Sequence, residues 1–235
     1  MTIVTNLQIP ALDGQLFDAY AARPELSSAP CIIVIQEIFG VNAAMRAICD
    51  DLARQGYWAI CPDLFWRQQR NVQLTDQSEA EWQEAFRLYN GFDVELGLSD
   101  LIAALAYVRK MPGCNGAVGT VGYCLGGKLA FLFIARSDID CAAGYYGVGL
   151  EECLREVNDI RRPLLLHIAG QDQFVPPEAR EKIMRGIGKN PQITAALYPE
   201  ADHAFARPGG KHYDEAAASE ANKRSADFFA AHLKR

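Results

Sequence analysis

From residue 31 onward the sequence switches repeatedly between short apolar runs and amphipathic helical patterns. Apolar runs of this length favour buried strands, and the patterns between them favour helices. The alternation predicts an α/β fold with a mostly parallel central sheet and helices on both faces, joined by right-handed crossovers. Residues 2–22, which turn at Asp13-Gly14, predict an N-terminal antiparallel hairpin.

The predicted elements follow one another closely. Strands are expected at residues 31–35, 57–60, 117–122, 141–145, 163–169 and 192–198. Helices are expected at residues 42–55, 78–89, 93–110, 124–136, 177–188 and 212–233. In open α/β sheets the ligand crevice lies at the carboxyl ends of the strands. Polar motifs that follow these strands are therefore the candidate functional residues.

Composition restricts the partners. The chain has 235 residues, of which 50% are hydrophobic and 22% charged, which suits one domain spanning residues 1–235. Its formal charge is −6 and it has no basic run, so nucleic-acid binding is not expected. No apolar segment has membrane-spanning length, and the N-terminus lacks a secretory pattern. We expect a cytoplasmic protein that does not bind membranes.

Seven cysteines are scattered through the chain. An odd, widely spaced set is unlike the dense framework of a small secreted disulfide protein, so a reducing compartment fits better. Cys31, Cys49, Cys61 and Cys141 lie in apolar or helical segments and are expected to pack as small hydrophobic residues. No clustered Cys or His spacing supports a metal site.

A glycine-flanked turn, Gly122-Tyr123-Cys124-Leu125-Gly126, joins a predicted strand to a predicted helix. This GxCxG turn resembles the nucleophile elbow of the α/β-hydrolase fold, with sulfur in place of the serine oxygen. A helix N-terminus and a nearby imidazolium both favour the reactive thiolate. Cys124 is therefore the candidate nucleophile, and a buried inert thiol is the alternative.

An acid and a histidine follow the elbow in the order that this fold requires. Asp172 comes 48 residues after Cys124, and His203 comes 31 residues after Asp172, each beyond a predicted strand. His203 would take the thiol proton, and Asp172 would fix its tautomer. A turn or helix cap is the alternative role for Asp172. His167 lies inside an apolar strand and is expected in the core.

The loop after the first apolar strand carries Glu37 and Ile38. The backbone N–H groups of Ile38 and Leu125 are candidate oxyanion donors. A carboxylate beside a thiol opposes formation of the thiolate, because like charges repel. Glu37 is therefore either part of the catalytic machinery or a loop carboxylate paired for structure.

Several segments together resemble the dienelactone hydrolase family nearly from end to end. They are Gln36-Glu37-Ile38-Phe39-Gly40-Val41-Asn42, Cys61-Pro62-Asp63-Leu64, Gly122-Tyr123-Cys124-Leu125-Gly126-Gly127, Gly144-Tyr145-Tyr146-Gly147-Val148-Gly149 and Gly170-Gln171-Asp172-Gln173-Phe174-Val175-Pro176.

The resemblance implies an α/β-hydrolase fold and carboxymethylenebutenolidase activity, the hydrolysis of a dienelactone to maleylacetate in chloroaromatic degradation. It implies a triad of Cys124, Asp172 and His203 that needs no metal or organic cofactor. It further implies that Glu37 keeps the resting thiol neutral and changes partner when substrate docks. The expected substrate is a small anionic lactone, and the protein is expected to be a monomer.

The family holds the substrate carboxylate with two arginines. Arg207 matches one of them, whereas Trp82 stands where the resemblance places the other. Trp82 either packs with its helical neighbours or lines the substrate pocket. Phe39, Tyr89 and Tyr145 are further expected substrate contacts.

Two other functions fit parts of the pattern. A broad carboxylesterase or thioesterase would use the same triad on uncharged substrates. A ligand-binding or sensory protein would keep the fold without turnover, since fold alone does not establish function.

Overall fold

A computed structural model describes residues 3–234 of the chain. The chain divides into two compact units, Met1–Gly119 and Thr120–Arg235. Strand β5 (Cys114–Tyr123) crosses from one unit into the other.

The first unit has its strands in the order β1-β2-β4-β3. The pairs β1–β2 and β2–β4 are antiparallel, whereas β3 and β4 are parallel. The strands are β1 (Ile3–Pro10), β2 (Leu16–Arg23), β3 (Ala29–Ile35) and β4 (Trp58–Pro62), and the helices are α1 (Ala43–Arg54), α2 (Glu79–Asn90) and α3 (Val94–Val108).

Local chemistry explains where these elements begin and end. All seven residues of β3 are buried, as expected of a parallel strand covered on both faces. The side chain of Asn42 accepts a hydrogen bond from Met45 N and caps α1. Ser78 caps α2 in the same way, with Glu81 at the third helical position. The loop after β3 lies at the carboxyl end of that strand, and it ends at the Asn42 cap of α1.

The second unit contains the rest of β5 and three further strands, in the order β5-β6-β7-β8. Strands β6, β7 and β8 pair in parallel. The remaining elements are β6 (Cys141–Tyr145), β7 (Leu164–Ala169), β8 (Ile193–Tyr198), α4 (Leu125–Arg136), α5 (Pro177–Ile187) and α6 (Glu215–Leu233), with 3-10 helices at Leu150–Glu152 and Leu154–Asp159.

The predicted fold class is confirmed, including the N-terminal antiparallel hairpin, although Thr2 lies outside the described residues. Two bounds differ from the sequence prediction by three residues, and the others by fewer. Strand β5 begins at Cys114 rather than Ala117. Helix α6 begins at Glu215 rather than His212, because the side chain of Asp214 accepts a hydrogen bond from Ala217 N and caps the helix there.

The four cysteines that were expected to pack are all buried thiols. Burial raises the pKa of Cys31 and Cys49 well above the ordinary thiol value, so both stay protonated and unreactive. Among residues 3–234, no helix combines the length and the apolar character that crossing a membrane requires.

Candidate active site

Cys124 lies at the tight turn between β5 and α4. Its backbone has φ 55° and ψ −113°, a left-handed φ that is costly for a residue with a side chain. The turn can close because Gly122 has no Cβ. A Cβ at this position would lie only 1.9 Å from the carbonyl oxygen of Gly126. Cys124 N donates to the carbonyl of Tyr145 over 3.0 Å. The strained backbone of Cys124 is therefore held by the end of β6.

Asp172 and His203 meet beyond the ends of β7 and β8. His203 Nδ1 donates to Asp172 Oδ2 over 2.8 Å, and the two residues are only 4% and 3% exposed. The other carboxylate oxygen of Asp172 accepts the backbone N–H of Phe174 at 2.8 Å. The side chain of His203 also hydrogen-bonds that of Cys124. The second unit thus brings the three predicted residues into one hydrogen-bonded row.

The surroundings of His203 favour its charged form. Burial by itself lowers the pKa of His203, because it disfavours the imidazolium. Electrostatic interaction with Cys124, together with hydrogen bonds to Asp172 and Cys124, outweighs burial and raises the pKa of His203 to about 10. The row therefore stabilises an imidazolium within hydrogen-bonding distance of the Cys124 sulfur, and a histidine base is the usual partner of a cysteine nucleophile.

Two aromatic residues that the sequence did not single out pack against His203. The ring of Phe174 meets the imidazole edge-on with 4.8 Å between centroids, and the ring of Tyr146 does so at 5.1 Å. Tyr146 also has a left-handed backbone with φ 38°. Its neighbouring Gly147 was the available signal, since glycine often marks a sharp bend.

Asp202, which precedes His203 in the sequence, makes different contacts from Asp172. Its Oδ1 accepts the backbone N–H of His203 at 2.6 Å, and its Oδ2 pairs with Nδ1 of the exposed His212 at 2.9 Å. The loop continues through Ala204, which has φ 62°, and Arg207 N donates to the carbonyl of Ala204 at 2.9 Å. Arg207 itself is buried on this loop.

Glu37, Ile38 and Phe39 follow β3 in the first unit, and all three are buried. Gly40 ends the segment with φ 74°, and a Cβ there would lie 2.1 Å from the carbonyl oxygen of Val72. Only glycine permits this close approach. The backbone around Glu37 and Ile38 is thus fixed within its own unit.

Trp82 on α2 is engaged by its neighbours. Its indole N–H donates to the carbonyl of Asp76 over 3.1 Å. Its ring meets Phe39 edge-on at 5.0 Å and stacks on Phe86 at 5.5 Å. Tyr89 lies on the same helix. These contacts favour the packing alternative for Trp82.

Tyr145 and Leu125 lie on either side of the elbow in the second unit. Tyr145 ends β6, is 1% exposed, and has its hydroxyl bonded to Ser225 and Asn222. The substrate contact of Tyr145 stays a prediction. Leu125 is the first residue of α4 and is buried, so its N–H belongs to the unsatisfied set at a helix N-terminus.

Among residues 3–234, no group of three or more His, Cys, Asp or Glu side chains is arranged to hold a metal ion.

Comparison with known proteins agrees with the geometry. The sequence model of the "Dienelactone hydrolase family" matches residues 17–233. Carboxymethylenebutenolidases of Pseudomonas putida and Pseudomonas knackmussii are each 46% identical over 97% of this chain and 97% of the relative. A crystal structure from Klebsiella pneumoniae, of a protein provisionally named a dienelactone hydrolase, is 28% identical with a TM-score of 0.86. The match covers 98% of this chain and 99% of that one.

Proposed function

Because the chain belongs to the dienelactone hydrolase family, we propose that it is a carboxymethylenebutenolidase that opens a dienelactone ring to give maleylacetate. The observation that carries the proposal is the hydrogen-bonded row of Asp172, His203 and Cys124 on a strained elbow. An inert core thiol would need neither the strain nor the charged partner.

The reaction proceeds through an acyl-cysteine. The thiolate of Cys124 attacks the lactone carbonyl carbon, a C–S bond forms, and the electron pair of the C=O bond moves onto oxygen. Collapse of this tetrahedral intermediate breaks the ring C–O bond, and His203 delivers a proton to the departing ring oxygen. Water then attacks the thioester with His203 as base, which releases the product and returns the thiol.

Backbone donors stabilise the oxyanion in this proposal. The N–H of Leu125 lies at the start of α4, where the helix dipole favours negative charge. The N–H of Ile38 is the second proposed donor. Loss of one such donor typically lowers kcat by ~10²- to 10³-fold.

Glu37 is proposed to control the nucleophile. The family resemblance assigns it the task of holding the resting thiol neutral until substrate docks, and like-charge repulsion gives that task a physical basis. Within the second unit alone, the environment of His203 favours the imidazolium. The proposal therefore requires Glu37 to oppose this preference in the resting enzyme and to release it on binding.

Recognition of the substrate carboxylate is proposed to rest on Arg207, because Trp82 replaces the second arginine of the family. The indole N–H already donates to Asp76, so Trp82 is a poor anion ligand. This favours the second candidate function, a carboxylesterase or thioesterase of broad range. Trp82→Arg should lower KM for the dienelactone. An unchanged or higher KM would count against the idea that Trp82 weakens recognition of the substrate carboxylate.

The domain organisation and the cellular setting are also part of the proposal. We propose that residues 1–235 form one domain, since the family match crosses the boundary between the two units. We further propose a cytoplasmic monomer that acts on a small anionic lactone and binds neither nucleic acid nor membrane. The net charge of −6 supports the absence of a nucleic-acid partner.

The central test is a progress curve on cis- and trans-dienelactone for wild type, Cys124→Ala and Cys153→Ala. Cys153 is a buried thiol of the same unit whose Sγ contacts the carbonyl of Gly149, so it serves as a matched control. Cys124→Ala should lose at least ~10⁴-fold in turnover, while Cys153→Ala keeps it. Mass spectrometry after rapid quenching should find the acyl group on Cys124. Turnover that survives in Cys124→Ala would overturn the proposal, and faster turnover of uncharged aryl esters would favour the second candidate.

A further inference from the structure

A continuous row of hydrogen bonds runs through the interior of the second unit, beneath the active-site loops. The hydroxyl of Tyr198 lies 2.9 Å from Nδ1 of His167, and Nε2 of His167 lies 2.9 Å from the Ser225 hydroxyl. Ser225 is 2.7 Å from the Tyr145 hydroxyl, which donates to Asn222 Oδ1 over 3.1 Å. The row joins β8, β7, α6 and β6.

The chemistry of these groups fixes the direction of every bond. The amide oxygen of Asn222 only accepts, so the single hydroxyl proton of Tyr145 is donated to it. Ser225 must then donate to Tyr145, and His167 Nε2–H must donate to Ser225. Nδ1 of His167 is left as the acceptor for the Tyr198 hydroxyl. When His167 is neutral, the row is satisfied only with the proton on Nε2.

The environment keeps His167 in that state. Burial, with a smaller contribution from the positive charge of Arg224, lowers the pKa of His167 to about 3. The partners of its two nitrogens are neutral hydroxyls. The imidazole therefore has one tautomer and one orientation throughout the physiological range.

One end of the row reaches the nucleophile. The backbone carbonyl of Tyr145 accepts the N–H of Cys124. A Cβ on Gly127, in the first turn of α4, would lie 2.7 Å from the same carbonyl. The ring of Tyr145 lies 4.2 Å from that of His167. The position of this carbonyl, and hence of the elbow, depends on where the Tyr145 side chain is anchored.

The other end of the row reaches the loops that carry the acid and the base. Tyr198 is the last residue of β8, five positions before His203. Its carbonyl accepts the N–H of Gly170, two positions before Asp172, over 2.8 Å. Its ring also packs on Phe205 at 4.9 Å. Tyr198 thus ties together the starts of both loops.

We propose that His167, through its hydrogen bonds to Tyr198 and Ser225, is a positioning residue that sets the relative placement of Cys124, Asp172 and His203. This role rests on the proposed triad and deepens it. It differs from an ordinary core contact because it acts on the geometry of the reacting groups, to which rate is far more sensitive than folding is. Supporting residues of this kind typically alter activity by ~10- to 100-fold.

The test removes one hydroxyl and keeps the ring. Tyr198→Phe deletes the donor to His167 while retaining the packing on Phe205. Tyr20→Phe is the matched control, because it deletes a tyrosine hydrogen bond of 2.7 Å, to Asp50 in the first unit. Both are assayed for kcat and KM on the dienelactone, with active enzyme counted by iodoacetamide labelling of Cys124 read by peptide mass spectrometry.

Tyr198→Phe should lower kcat per labelled thiol by ~10-fold and slow the alkylation of Cys124, with KM within about two-fold. Tyr20→Phe should leave all three values at the wild-type level. A purely structural role would reduce the number of labelled thiols without changing kcat per thiol. Wild-type kcat and alkylation in Tyr198→Phe would therefore overturn the inference.

A second pair of variants tests the same proposal in case Tyr198→Phe does not fold. Ser225→Ala removes the hydroxyl that joins His167 to Tyr145, whereas Ser225→Thr keeps one at the same position. Ser225→Ala should show the same loss in kcat, and Ser225→Thr should recover most of it. Equal kcat in the two variants would overturn the role of the hydroxyl. If Cys124→Ala retained turnover, the proposed function would be wrong, and the positioning role of His167 would be wrong with it. If only the positioning role is wrong, Cys124→Ala still loses turnover.

Discussion

His203 and His167 are both buried in the second unit and both hydrogen-bonded through two ring nitrogens, yet their pKa values are shifted in opposite directions. Burial disfavours the charged form of each. His203 faces the carboxylate of Asp172 and the sulfur of Cys124, which raise its pKa to about 10. His167 faces the hydroxyls of Tyr198 and Ser225, and its pKa falls to about 3. Partner charge, rather than depth, decides which histidine can carry a proton for chemistry.

Apart from the removal of the Cys124 thiol, the largest expected effect comes from removing the charge that faces His203. Asp172→Asn keeps the shape of the side chain but stabilises the imidazolium less and can reverse the tautomer. It should lower kcat/KM by ~10³- to 10⁴-fold. Asp202→Asn is the matched control, since Asp202 contacts the backbone N–H of His203 rather than its ring. Similar losses in the two variants would mean that loop anchoring, and not ring charge, sets the rate.

The next prediction concerns the titration of the two rings. In nuclear magnetic resonance, the His203 imidazole should titrate near pH 10 and the His167 imidazole near pH 3. Cys124→Ala removes an electrostatic and hydrogen-bonding partner of His203, so the pKa of His203 should fall while that of His167 stays unchanged. A pKa of His203 that is insensitive to Cys124 would separate the imidazole from the nucleophile.

These shifts have opposite consequences for stability. The folded pKa of His203 lies above the ordinary value of 6.5, so its contribution to the free energy of unfolding is complete below that value and is lost as pH rises toward about 10. The folded pKa of His167 lies below 6.5, so its contribution is complete above that value and is lost as pH falls toward about 3. Each slope is limited to about 1.4 kcal/mol per pH unit for one proton.

Urea unfolding over a pH series measures these slopes. His167→Gln removes the titrating group. The slope of the free energy of unfolding against pH should therefore decrease below pH 6.5, by up to about 1.4 kcal/mol per pH unit. The slope on the alkaline side should not change. Loss of slope on the alkaline side instead would reverse the assignment of the two rings.

The contrast between the two histidines also marks what sequence reasoning could reach. The alternation of apolar and helical segments predicts most strands and helices to within three residues, because that pattern is local. Cys124, Asp172 and His203 could be selected because each follows a strand in a fixed order. The same reasoning placed His167 only in the core, since nothing local shows that it meets Ser225, 58 residues away.

Tyr145 and Tyr146 show the same limit at neighbouring positions. The sequence favoured Tyr145 for substrate contact, but its ring and hydroxyl lie among His167, Ser225 and Asn222. Tyr146 instead packs on His203. Tyr146 has a left-handed backbone with φ 38°, and its N–H donates to the carbonyl of His167 on the neighbouring strand over 2.8 Å. A contact with a residue so distant in the chain is not visible in the local sequence.

A smaller effect is expected from the rings that hold His203 in place. Phe174→Leu removes an edge-on contact worth about 0.5–1.5 kcal/mol, so kcat should fall by ~2- to 10-fold. Phe228→Leu is the control, because Phe228 makes a similar contact with His232 at 4.7 Å on α6. Equal kcat in both variants would show that Asp172 and Cys124 orient the imidazole without help from Phe174.

The smallest effect is expected at a third histidine, which pairs with an aspartate at the surface. The side chains of His212 and Asp202 are 43% and 33% exposed, whereas those of His203 and Asp172 are 5% and 1% exposed. Solvent screens an exposed pair, so His212→Asn should change the free energy of unfolding by only ~0–1 kcal/mol and leave kcat within about two-fold. Urea unfolding and steady-state kinetics measure both. A loss of kcat comparable to that of Asp172→Asn would mean that the bond from Asp202 to the His203 backbone depends on His212, and that the catalytic histidine is controlled from the surface as well as from the core.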